Sequence, residues 1–160
     1  MVRLTIDAPK ALMNANHRKH WATRAKETRS WKQAAIVAAR AAKLEPVTGR
    51  VHVTAIIHRR TLHTADVGNF YPTVKAIIDG LTHYGLWPDD SDPHVEGPDL
   101  RAGDVWPRVG VEIIIRPAAP LDLTKVALLT DPGFLDHAAD LYTKVAAAAG
   151  TAEPIPRDTI

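Results

Sequence analysis

The chain has 160 residues, enough for one domain with a hydrophobic core and few for two. With 46% hydrophobic and 24% charged residues it reads as an ordinary globular protein, and the absence of cysteine excludes disulfides, thiolate zinc sites and a cysteine nucleophile. The net charge of +2 conceals an asymmetry: residues 1–60 carry thirteen Lys/Arg against Asp7, Glu27 and Glu45, a balance of +10, and residues 61–160 carry −8.

A basic half beside an acidic half suits a protein that holds phosphates on one surface and metal ions on another; two halves that pack together and mix their charges give the same numbers. No apolar run approaches the roughly 18 residues of a membrane span, and the start, MVRLTIDAPK, has no apolar core of signal-peptide length. A cytoplasmic protein with no membrane partner is expected, and the lack of cysteine suits that reducing compartment.

In chain order, Val2, Leu4 and Ile6 alternate with Arg3 and Thr5 and predict a short half-buried strand ending at Pro9. Residues 9–20, PKALMNANHRKH, are polar and basic without a period and read as a loop. Residues 22–43 are Ala-rich with no Gly or Pro and predict a helix. Trp21, Ala25, Trp31, Ala35, Ala38 and Ala42 form its expected buried stripe, with Trp21 placed in the core. After a turn at Pro46 and Gly49, Val51, Val53, Ala55 and Ile57 repeat every second residue and predict a second strand running into His58-Arg59-Arg60.

A second helix starts with Pro72 in its first turn, carries Val74, Ile77, Ile78, Leu81 and Tyr84 on one face, and stops at Gly85. Residues 87–107, WPDDSDPHVEGPDLRAGDVWP, read as a connection to a third strand whose inward face is Val109, Val111, Ile113 and Ile115. Residues 117–130 give no reading. Asp131-Pro132 resembles a helix cap, with Phe134, Leu135, Ala138, Leu141, Tyr142 and Val145 on one face up to Gly150, and the last ten residues form a loose tail. The expected fold is α/β (α+β): a small mixed β-sheet with packed helices in a single domain over residues 1–116, with residues 117–160 as a C-terminal extension carrying one more helix.

The chemistry concentrates between Asp66 and Asp90. Asp66 precedes Gly68-Asn69, Lys75 and Asp79 share a helix face, and Asp89-Asp90 follows the helix end. Lys75 and Asp79 are i, i+4 neighbours, so an ordinary surface ion pair accounts for them; asparates in loops are commonly solvated turn formers. The alternative is a Mg²⁺ site, since Mg²⁺ takes hard oxygen ligands and often needs only one or two carboxylates beside water and substrate phosphate. Bringing Asp66 towards Asp90 requires the Asp-Asp segment to fold back along a helix about 20 Å long, a reversal that Gly85 and Pro88 permit. The eight histidines show no zinc-ligand spacing on a helix and read as polar surface residues.

The run from Asp66 through Lys75-Ala-Ile-Ile-Asp79-Gly-Leu81 to Gly85 and Asp89-Asp90 resembles the RusA-type Holliday junction resolvases. Their pattern is an Asp-x-Asp-Asn loop entering a Lys-x-x-x-Asp-x-Leu helix, followed by a Gly and an Asp-Asp pair. The N-terminal half is similar too: a strand, a loop with Asn14 and Asn16 followed by basic and aromatic residues, and a charged helix, so the resemblance spans residues 2–116. It implies a homodimeric endonuclease that cuts branched, four-way DNA junctions using Mg²⁺, with Mn²⁺ as the substitute metal. It implies Asp66, Lys75 and Asp90 as catalytic residues, Asp66 and Asp90 as metal ligands, and Asp89 in support of them. Two departures stand out: the second loop aspartate of the pattern falls on Gly68, and Asn69 lies three residues further from Lys75, the added residues being Phe70-Tyr71-Pro72. Asp79 and Asp99 are weaker substitutes for the missing carboxylate.

On this reading the basic half binds DNA phosphates. Asn16, Arg18, Lys19 and His20 in the loop, Arg24 and Arg29 on the helix, Arg59 and Arg60 at the strand end, and Asn69 are the expected DNA-binding residues. A junction-binding protein that keeps the fold but has lost cleavage is the alternative, motivated by Gly68. An enzyme acting on small phosphorylated substrates is more remote, because the chain has no Gly-rich phosphate loop.

Overall fold

The structure, a computed structural model, describes residues 1–61 and 66–120. The chain divides after Pro120 into two units, and the described residues belong to the first, Met1–Pro120. The helix and tail expected between residues 131 and 160 lie outside them.

Alternating apolar residues form the strands, and burial follows the alternation. In β1 (Val2–Asp7) Leu4 and Ile6 are buried while Arg3 and Thr5 face out. In β2 (Val51–Arg59) Val51, Val53, Ala55 and Ile57 all face the core. The helices α1 (Trp21–Ala41) and α2 (Tyr71–Tyr84) lie against each other, and their buried faces join the same core as these inward strand residues. Pro72 sits in the first turn of α2, and Gly85 ends it in the left-handed conformation at φ 90°, which a residue with a Cβ adopts only at a cost. The Val51 strand, the Pro72 helix and its Gly85 stop thus form as their patterns dictate.

Several sequence-based expectations fail. Residues 95–105, read as connection, form a strand, β3 (Val95–Val105), parallel to β2 at the sheet edge. Gly97, Pro98, Asp99 and Gly103 break the apolar alternation, and register shifts between His52/Thr54 and Ile57/Arg59 absorb the irregularity. An edge strand tolerates such residues because one side of it needs no ladder partner. The expected stripe of α1 also fails in part: Trp21 is 76% exposed, Ala42 is exposed and Ala25 and Ala38 are half-buried, the buried residues being Trp31, Ala35, Ile36 and Ala39. The buried stripe of α1 begins at Trp31, so its first ten residues, about 15 Å of helix at 1.5 Å per residue, reach past the core.

The last strand, β4 (Gly110–Pro117), is central and is buried on both faces from Gly110 to Ile115. The sheet order is β1-β4-β2-β3, with β4 antiparallel to both neighbours and β2 parallel to β3. The described residues therefore form a small mixed α+β domain: a four-stranded mixed sheet with two helices. Since β1 and β2 both run opposite to β4, their C-terminal ends lie at the same end of the sheet. Both strand-to-helix connections open there, the kind of crevice in which sheets flanked by helices place ligands.

The helix pair fixes that geometry at Gly80. A Cβ there would lie 2.5 Å from the Lys32 carbonyl oxygen and 2.9 Å from the Ala35 Cβ on α1, so the two helices touch backbone to backbone. Gly80→Ala gains about 1 kcal/mol of helix propensity. It must nevertheless push a backbone carbonyl aside, and overpacking of a tight core costs about 1–3 kcal/mol. We expect a lower melting temperature for Gly80→Ala, read by circular dichroism; an unchanged or raised one would show that the helices separate freely.

Candidate functional site

Asp66 is the N-cap of a short 3-10 turn, Val67–Phe70: its Oδ1 accepts from the Gly68 N–H at 2.8 Å and its carbonyl oxygen from the Asn69 N–H at 3.2 Å. Phe70 is buried and ends the turn, and Tyr71-Pro72 begin α2, so the three added residues become the junction between turn and helix. Gly68 supplies no ligand atom. A Cβ at that position would lie 3.2 Å from Asp66 Oδ1, close enough that a side chain there presses on the carboxylate.

The loop before α1 is fastened to this turn. Asn16 Nδ2 donates to Asn69 Oδ1 at 3.0 Å, the Ala15 N–H to the Asn69 carbonyl at 2.8 Å, and the Met13 N–H to the Thr73 hydroxyl at 2.7 Å. Within the loop, Asn14 Oδ1 accepts from the Asn16 N–H at 2.8 Å and shapes the bend. Met13 and Thr73 are both buried, which makes their bond more costly to lose than the exposed Asn16–Asn69 contact.

Beyond α2 the chain folds back. The Leu86 N–H bonds the Leu81 carbonyl at 3.1 Å, and Trp87, 2% exposed, donates its Nε1–H to the Thr82 hydroxyl at 2.7 Å. This anchor delivers Asp90 to α2, where Lys75 Nζ donates both to Asp90 Oδ2 and to Asp79 Oδ1, the latter at 2.5 Å. The expected Lys75–Asp79 ion pair exists, and a second carboxylate joins it. Asp89 faces the other way: its Oδ1 accepts from the Ser91 N–H at 2.8 Å and from the Ser91 hydroxyl, and it shapes the turn into β3.

The remaining expected residues divide. Arg18, Arg24, Arg29 and Arg60 are exposed and have no ion-pair partner among the described residues. Lys19 is held by Glu27 at 2.6 Å, His20 Nδ1 accepts from the Ala22 N–H at 3.3 Å to cap α1, and Arg59 is half-buried and already engaged. Asp99 Oδ2 lies 3.2 Å from His52 Nε2 on the sheet and takes no part in the Lys75 cluster. The expectation that the histidines are polar surface residues fails at His58, which is 4% exposed, stacks on Trp106 with ring centroids 3.5 Å apart, and faces the Asp104 carbonyl with its Nδ1–H at 3.1 Å. Trp106 belongs to the stretch read as connection, so the pairing becomes visible only with β3 in place.

Among the described residues no group of three or more His, Asp or Glu side chains is placed to hold a metal ion. Asp66, Asp79 and Asp90 each keep one carboxylate oxygen that accepts no hydrogen bond from the described residues. The expected ligand Asp66 does not, however, join Asp79 and Asp90 in a three-carboxylate site; one or two carboxylates suit a hard cation completed by water and phosphate oxygens, not one enclosed by protein ligands.

Lys75 titrates high. Burial by itself lowers its pKa, but the hydrogen bonds and charges of Asp79 and Asp90 outweigh burial and leave it above the ordinary 10.5. The Ser91 hydroxyl and N–H hold the Asp89 carboxyl below its ordinary value, burial opposing slightly and His94 assisting. The side chains of Lys75, Asp79 and Asp90 are 43%, 37% and 36% exposed, so solvent screens the cluster; the i, i+4 pair with Asp79 stabilises by about 0.3–0.5 kcal/mol and the pair with Asp90 by about 0.2–1 kcal/mol. Its importance is placement of charge, not stability.

A comparison of the sequence with protein-family models finds no match. A comparison with curated proteins finds none either.

The raised value of Lys75 sets a direction in pH. Its contribution to stability is complete below the ordinary lysine pKa and is lost as pH rises through the folded value; that of Asp89 is present above the ordinary aspartate pKa and is lost as pH falls through its lowered one. In a carbon-13 NMR titration of the lysine side chains, the Lys75 midpoint should lie above 10.5 and move down in Asp90→Asn. A midpoint indifferent to that substitution would mean the Asp90 contact is not populated.

Proposed function

We propose that this chain is a RusA-like, metal-dependent endonuclease that acts as a homodimer on branched, four-way DNA junctions by paired phosphodiester hydrolysis. The observation that carries this reading is the fastening of two loops distant in sequence, Asn16 to Asn69 and Met13 to Thr73, at the shared C-terminal end of β1 and β2. It sets the basic loop and the start of α1 beside the turn that carries Asp66. Phosphates drawn to Arg18, Arg24 and Arg29 are thereby led towards the carboxylates.

Asp66 and Asp90 would hold Mg²⁺, or Mn²⁺ in its place, and the bound cation would supply a Lewis acid and an activated water. Asp89 braces the turn that presents Asp90. Lys75, balanced between Asp79 and Asp90, is a mobile cation within the cluster, able to pass from a carboxylate to a phosphate oxygen on which charge develops. A second reading, junction binding without cleavage, rests on Gly68: the site has one carboxylate fewer than the RusA pattern, and Asp66 is already engaged in its cap.

Two experiments test this function. On end-labelled four-way junctions with Mg²⁺ or Mn²⁺, paired nicks near the branch point are expected, and none with chelator. Asp90→Asn should lower the rate by at least about 100-fold, the upper end of what losing even an outer partner of a metal ligand costs, with junction affinity kept. Tight binding without nicks under either metal would select the second reading. Separately, replacing Arg24 and Arg29 together by Ala should weaken binding to junctions of every sequence and reduce the salt slope by about 2; an unchanged slope would remove that face of α1 from the DNA interface.

A further inference from the structure

The start of α1 presents an aromatic surface that the core does not use. Trp31 and Trp87 are 0% and 2% exposed, and Trp106 has a ring face covered by His58, whereas Trp21 is 76% exposed. Tryptophan is the largest apolar side chain, and leaving it in water forgoes the burial that drives folding. The buried residues of that helix begin ten positions later, at Trp31, so no element among the described residues covers the ring.

Its surroundings select the kind of ligand. Residues 10–44 contain nine Lys/Arg and a single acid, Glu27, and Glu27 is paired with Lys19. Arg18 and Arg24, three residues to either side of Trp21, are exposed and have no ion-pair partner among the described residues. The His20 ring, fixed by its bond from the Ala22 N–H, stands 5.8 Å from the Trp21 ring at an interplanar angle of 37° and limits how the indole can turn. A flat, positioned aromatic face between cations fits a ligand that is planar, aromatic and joined to anionic groups. A nucleobase on its phosphate backbone has all three properties. The bases of a linear duplex are covered by their stacked neighbours; those at a branch point or a melted end offer an open face.

We propose that Trp21 is a stacking platform for an unpaired nucleobase of branched DNA, with Arg18 and Arg24 holding the flanking phosphates. This rests on the DNA-binding function proposed above and adds the element that distinguishes an open branch from plain duplex. Five residues separate Trp21 from Asn16, at most about 18 Å of extended chain, so the stacked base lies close to the fastened loops and the Asp66 turn.

The test uses the full chain in chelator, a four-way junction with 2-aminopurine at the branch point, and a linear duplex of the same sequence. Wild type should quench the probe on binding the junction, and junction DNA should shield the exposed tryptophan from acrylamide. Trp21→Ala should lose the quench and about 5- to 150-fold in junction affinity with duplex affinity unchanged, and Trp21→Phe should retain most of both. Equal loss on junction and duplex, or wild-type affinity and quench in Trp21→Ala, overturns the stacking role while leaving junction binding standing. A changed sedimentation mass in Trp21→Ala with unaltered DNA affinity overturns it in favour of a protein contact. If wild type binds no junction at all, the DNA-binding function fails and the stacking role with it.

Discussion

The approach of α2 to α1 at Gly80 is the constraint on which the rest of the molecule depends. With the Lys32 carbonyl 2.5 Å from where a Cβ would stand, the helices lie as near as two backbones can, and the buried faces of both close over the same sheet residues. Neither helix can rotate or withdraw without opening that contact. The N-termini of the two helices are consequently held together at one end of the sheet, and so are the loops that lead into them. The Met13–Thr73 and Asn16–Asn69 bonds exploit a proximity the helix pair has already established.

The charges are distributed around the same frame. Most basic residues of the first sixty lie on the loop and on α1 away from Trp31, Ala35 and Ala39, whereas Arg3 pairs with Glu112 and Arg50 with Glu96 across the sheet. The acidic residues gather where the chain leaves α2, because Trp87 is pinned to Thr82 and carries Asp90 back along the helix. Two ion pairs, Arg3–Glu112 and Arg50–Glu96, mix charges of the two halves, while residues 10–44 keep their nine cations with Glu27 as the one acid among them. A polyanion meeting this molecule is attracted to that basic stretch.

Lys75 stands between two carboxylates, Asp79 and Asp90. It is close enough to two carboxylates to be held fully protonated, yet exposed enough that the pairing is weak. An ammonium in that condition leaves its carboxylates readily when a stronger anion or cation arrives. The cluster is better suited to exchanging partners than to holding the fold together, which the aliphatic core does instead.

The sequence by itself determined the elements with strong local signals. The period-two strands at Val2 and Val51 and the Pro72-to-Gly85 helix follow from side-chain alternation and backbone chemistry that act within a few residues. It also singled out Asp66, Lys75 and Asp90, with Lys75–Asp79 as an ion pair; in the structure Lys75 holds Asp79 and Asp90, and Asp66 caps its own turn. Only the tertiary structure decided the fate of Trp21 and of residues 95–105. A helical stripe marks which face of α1 is apolar but cannot mark where the core beneath it ends, so Trp21 emerges exposed. A strand whose stability comes from pairing with β2 can carry Gly97, Pro98 and Gly103 and leave no periodic trace. Local patterns are written in neighbouring residues; the extent of a core and the partner of an edge strand depend on residues some forty positions away, which no window along the chain contains.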